Sequence, residues 1–60
     1  MKHYEITKEN NGWTSALVIR PDGQKISYNR FFSAKEAETW CYAKVRFFWG
    51  AKVADKEFTR

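Results

Sequence analysis

The sequence predicts an α+β domain, a three-stranded antiparallel meander packed on one C-terminal helix in the order β-β-β-α. Three observations predict it. Two turn signals, Asn11-Gly12 and Pro21-Asp22-Gly23, separate segments of alternating apolar and polar residues. A helical pattern then opens at Ser33 and closes at Gly50. Finally, 60 residues leave room for one core only, because a chain of this size buries roughly 60% of its unfolded surface. The expected elements of this single domain, 1–60, are strands over about 3–9, 13–20 and 25–31 and a helix over about 34–49. A polar tail over 51–60 is expected to be partly frayed.

In the first strand Tyr4 and Ile6 are apolar and Glu5 and Thr7 polar. Asn11-Gly12 is a strong signal for a two-residue type I′ hairpin turn. Such a loop places Lys8 opposite Ser15, Ile6 opposite Leu17 and Tyr4 opposite Ile19. At the second turn Asp22-Gly23 can form a two-residue loop. Pro21 has no N–H for a closing pair, so a four-residue loop is the alternative. Both place Arg20 opposite Lys25, Ile19 opposite Ile26 and Leu17 opposite Tyr28. Tyr4, Ile6, Leu17, Ile19, Ile26 and Tyr28 then share the core face. The opposite face holds His3, Arg20 and Lys25 at one end, then Glu5, Val18 and Ser27, then Thr7, Ala16 and Asn29, with Glu9 and Thr14 at the far end.

Ser33 followed by Glu36 three residues on is a capping-box arrangement. Helical spacing from Ala37 selects Trp40, Cys41, Lys44, Val45 and Phe48 as the stripe facing the sheet, with Lys44 snorkelling at its edge. Gly50 suits the position that ends a helix. Tyr42, Phe47 and Trp49 are surplus to that stripe. Either the tail folds over them, with Val53 and Phe58 as cover, or they form an apolar surface for a protein partner or a second copy. A non-catalytic protein-interaction domain, using these rings or adding a strand along a sheet edge, is thus an alternative function.

Composition narrows the function classes. Three Trp, five Phe and three Tyr are an efficient filling for a small core. One cysteine, Cys41, allows no internal disulfide, and Cys41 with the single His3 cannot build a four-ligand metal site. No cofactor is implied. No Ser/His/Asp grouping, Gly-rich phosphate loop or carboxylate pair suggests catalysis, so the expectation is a non-enzyme. No apolar run approaches the roughly 20 residues of a membrane span, and a reducing cytoplasmic setting is expected. A net charge of +4 and a pI of about 9.5 suit a polyanion but do not demand one.

Several local patterns together resemble the Apetala-two (ethylene-response-factor) DNA-binding domain and its bacterial and phage relatives. The second hairpin, Ile19-Arg20-x-Asp22-Gly23-x-Lys25-Ile26, carries part of the likeness. The rest lies in Phe31, Ser33, Glu36 and Ala37 and in Trp49-Gly50-Ala51-Lys52-Val53. The likeness covers roughly residues 4–54. It implies a phage or bacterial accessory protein that lays its exposed sheet face in the major groove of double-stranded DNA. Arg20 and Lys25 stand where the family often has basic residues, and Ser27 where it often has Trp or another large residue. The resemblance thus implies a nucleic-acid surface at Arg20, Lys25 and Ser27. The expected register sets His3 beside them, and this basic cluster is either a solvated strand end beside a turn or a phosphate-contact surface, joined by Lys8 or Arg30, of modest and salt-sensitive affinity. Trp13, beside the first turn, either shields the end of the core or stacks on a base.

Overall fold

The computed structural model describes residues 2–59. Its elements are β1 (Tyr4–Lys8), β2 (Thr14–Ile19), β3 (Lys25–Phe31), α1 (Ala34–Trp49) and α2 (Ala51–Glu57). The strands form one antiparallel sheet in the order β1-β2-β3. The α+β meander is therefore as expected, but two helices follow it instead of one. Among the described residues, no helix is long and apolar enough to cross a membrane.

The register of the first hairpin differs from expectation by one residue, and the turn explains why. The Glu9 N–H donates to the Trp13 carbonyl at 2.8 Å, which leaves Asn10-Asn11-Gly12 as a three-residue loop. The Asn11 side chain accepts from the Trp13 N–H at 3.1 Å. Gly12 takes φ 91°, whereas Asn11 has no positive φ. A type I′ turn would require positive φ at both. Tyr4 accordingly faces Val18, Ile6 faces Ala16 and Lys8 faces Thr14. A one-residue slip moves every side chain to the other side of a sheet. So Thr14, Ala16 and Val18 are the buried side chains of β2, while Leu17 and Ile19 lie on the opposite face.

The second loop is also three residues long, Pro21-Asp22-Gly23, and neither of the expected lengths. Arg20 pairs with Gln24, its N–H donating to the Gln24 carbonyl at 2.9 Å while its own carbonyl accepts from the Gly23 N–H at 2.8 Å. Ile19 therefore faces Lys25. An irregularity at Val18/Ile19 takes up Ile26 as an extra residue, after which Val18 faces Ser27 and Leu17 faces Tyr28. The Leu17–Tyr28 pair is the expected one, but it sits on the face away from the helices.

Small residues set the layer spacing. Ala16, Ala37 and Cys41 are fully buried together, walled by Tyr4, Ile6, Phe31, Trp40 and Phe58. Removing these atoms from water supplies most of the driving force for joining helix and sheet. In α1 the buried residues Ala37, Cys41 and Val45 recur every fourth position. The Ser33 hydroxyl accepts from the Glu36 N–H at 3.5 Å, as the capping pattern predicts. Lys44 is half-buried with its Nζ 5.7 Å from the centre of the Trp40 ring, in keeping with a snorkelling side chain. Phe48 departs from the predicted stripe and is 43% exposed.

The expected frayed tail is α2. Gly50, at φ 96° and ψ 167°, ends α1 by donating its N–H to Arg46 and starts α2 by accepting from Ala54. Only glycine occupies that backbone region readily. Ala54 is buried, and Phe58 stacks on Tyr4 with ring centres 4.3 Å apart. The Tyr42 hydroxyl donates to Asp55 at 2.5 Å, and its ring meets Phe58 edge-on. At the same corner the His3 N–H donates to Glu57 at 2.8 Å, its Nδ1 meets the other Glu57 oxygen, and its ring packs on Trp49.

Candidate nucleic-acid interface

The helices cover one side of the sheet, and the corrected register defines what the other side displays. Glu5, Leu17 and Tyr28 form one row across β1, β2 and β3, and Thr7, Ser15 and Arg30 form the next. Glu9, Trp13 and Phe32 continue the alternation just beyond the paired segments, and the Trp13 and Phe32 rings stack at 3.8 Å. Ile19 and Lys25 close the other end. Along β3 the open face therefore runs Tyr28, Arg30, Phe32, alternating because successive side chains of a strand point to opposite sides. Tyr28 is 61% exposed and Phe32 72%.

The charges on this face are separated. Both cations, Lys25 and Arg30, belong to β3, and both carboxylates, Glu5 and Glu9, belong to the β1 side. Arg30 crosses between them. Its Nε and Nη2 each donate to a Glu9 oxygen at 3.0 Å, and its guanidinium lies 4.9 Å from the centre of the Trp13 ring. This pair is solvent-exposed, so it contributes about 0–1 kcal/mol and yields readily to a competing anion.

The residues expected at the interface divide. Lys25 lies on the open face. Arg20 instead lines a cleft with Ile26, Phe48 and Trp49 at the far end of α1. The His3 side chain is docked on Glu57 and Trp49. Ser27 pairs with Val18 and Lys8 with Thr14, both on the helix-covered side. The backbone thus brings the expected cluster to one end of the sheet; the loops turn Arg20 and Ser27 to the helix side, and Glu57 and Trp49 hold the His3 side chain against the helices. Trp13 stacks on Phe32 instead of closing the core. Tyr28 and Phe32 were not legible as site residues, because the two-residue turn assigned Tyr28 to the core.

The surplus aromatics also divide. Tyr42 and Trp49 are half-buried against Phe58 and His3. Phe47 is 80% exposed and meets only the edge of Phe48 among the ring contacts described. Cys41 is fully buried, and burial, with a smaller push from Glu38, raises its thiol to about 11. It is held as a thiol at neutral pH and is a core residue rather than a nucleophile.

In comparison with known proteins, no family model, no curated protein and no solved structure matches the chain. The likeness to the Apetala-two domain rests on the motifs quoted above.

Proposed function

We propose that this chain is a non-catalytic nucleic-acid-binding domain that engages its ligand through the open sheet face. The observation that carries this reading is the row Tyr28, Arg30, Phe32, which runs along the edge strand β3 and one residue past it, with Lys25 at its other end. Exposed rings offer stacking surfaces to bases, and the neighbouring cations meet phosphates. The net charge of +4 favours approach to a polyanion. The intracellular, phage or bacterial accessory role implied by the Apetala-two likeness is compatible with such a domain and belongs to the same proposal.

The test is fluorescence polarisation with a mixed-sequence duplex and with each of its separated strands. At least one probe should bind at 50 mM salt and lose affinity steeply by 200 mM. Lys25→Glu should weaken that binding, whereas Arg20→Glu, on the other side of the sheet, should change it less. Absence of binding to every probe, or equal losses in the two variants, refutes the open-face reading. A second reading, self-association, is favoured by the exposed Phe47–Phe48 pair. Sedimentation of the same preparations tests it, since a monomer at high micromolar concentration would exclude it.

A further inference from the structure

We infer that the open face selects unpaired nucleotides, with a single strand lying along β3 and its bases stacked on Tyr28 and on the Phe32–Trp13 pair. This rests on the nucleic-acid reading above and names its ligand class.

The side chains that the face displays suit base faces better than base edges. In a duplex both faces of each base are covered by its neighbours, and a protein can reach only the base edges in the grooves. Edge recognition uses Arg, Lys, Asn or Gln aimed at those edges. Here Arg30 is forked onto Glu9, Asn29 pairs with Ala16 on the helix side, and Lys25, at the end of the face, is a point charge without a bidentate fork. What the face does offer is ring area: Tyr28 at 61% exposure and Phe32 at 72%, the latter backed by Trp13. Rings stack on base faces, and base faces are free only in an unpaired strand.

The spacing of the rings suits a short single strand. Tyr28 and Phe32 are four residues apart on one side of β3, or about 13 Å at roughly 3.3 Å per strand residue. A nucleic-acid strand keeping the roughly 3.4 Å spacing of a duplex covers that distance in about four nucleotides, and an extended one in fewer. Two ring platforms at that separation, with Arg30 between them and Lys25 beyond Tyr28, match a footprint of a few nucleotides.

The charges change sign across the sheet. Glu5 and Glu9 line the β1 side and repel a second phosphate backbone, while Lys25 and Arg30 attract one along β3. A duplex seated across the whole face would bring phosphates against both carboxylates. A single strand along β3 avoids them. Glu9 also competes with phosphate for Arg30, so it weakens binding in the protein as it stands.

The experiment uses the full chain and fluorescein-labelled twelve-nucleotide probes: oligo-dT, oligo-rU and a mixed-sequence duplex, all at 50 mM salt. A single strand should bind at least tenfold more tightly than the duplex. Tyr28→Ala should weaken single-strand binding about 5- to 150-fold, the range expected for losing one stacked base, and Tyr28→Phe should keep it. Glu9→Gln should tighten it several-fold by releasing Arg30. Because all these positions lie on the open face, circular dichroism should show unchanged folding. A preference for dT or rU over the other supports the inference and assigns the sugar. Duplex binding as tight as or tighter than single-strand binding overturns it, and leaves the nucleic-acid reading intact if Lys25→Glu still weakens the complex. Unchanged affinity in Tyr28→Ala, or weaker binding in Glu9→Gln, also overturns it. No binding by any probe overturns both readings together.

Discussion

Replacing Val18 with Ala removes two carbons from a side chain that is fully buried against the helices. At about 0.8 kcal/mol per buried carbon the transfer loss is about 1.6 kcal/mol, and the residual cavity brings the total to about 2–3 kcal/mol. Small domains have about 0.05–0.15 kcal/mol of stability per residue. For 60 residues that is roughly 3–9 kcal/mol, so the loss is a large share of the whole. A fall in melting temperature on the order of 10–20 °C should follow. Leu17→Ala deletes three carbons, one more, but from a half-exposed side chain on the open face, and should cost under about 1 kcal/mol. Urea titration of both variants with an unchanged m-value gives the comparison directly. The order is what matters. If Leu17→Ala proves the more destabilising, the two-residue turn is the true one, Leu17 belongs to the core, and the open face described above is the wrong face.

Two further outcomes are expected. Gly50→Ala meets no atom within 4 Å but forces alanine to φ 96°, so it should cost about 1–3 kcal/mol through backbone strain alone, read by urea titration; an effect near zero would show that α1 and α2 do not hinge there. Cys41, with its folded thiol raised from 9.0 to about 11, contributes stability that is complete below pH 9 and is lost as pH rises toward 11. At pH 8 it should resist iodoacetamide in the folded protein and react rapidly in urea, and equal rates in the two states would contradict its burial.

How far the sequence foretold the structure varied by element, for physical reasons. The bounds of α1 were legible because Ser33 and Gly50 are local signals, each acting through its own backbone geometry. The first register was not. β2 reads Thr-Ser-Ala-Leu-Val-Ile, which is apolar enough on both faces that alternation cannot choose between them. The choice falls to the turn, and there one Asx hydrogen bond from Trp13 to Asn11 goes with the longer loop. The helix layer also prefers small partners, since Ala16 opposite Ala37 and Cys41 lets α1 approach closely where Leu17 would hold it off. α2 escaped notice because the residue it buries deepest is Ala54, which hydropathy hardly marks. The candidate site inherited the register error in part: Arg20 and Ser27 were grouped by a parity that the real loops reverse, whereas His3 keeps the alternation of β1, opposite Ile19, and is drawn off by Glu57 and Trp49. Lys25 survived because the bulge at Val18/Ile19 keeps it on the open side.

The corner where His3 holds Glu57 and Tyr4 stacks on Phe58 also decides how the molecule can be joined to anything else. Both ends of the described chain are pinned there, on the helix side of the sheet. A polypeptide attached before His3 or after Phe58 starts from that same corner, where the docked side chains meet the helices and not Tyr28 or Phe32.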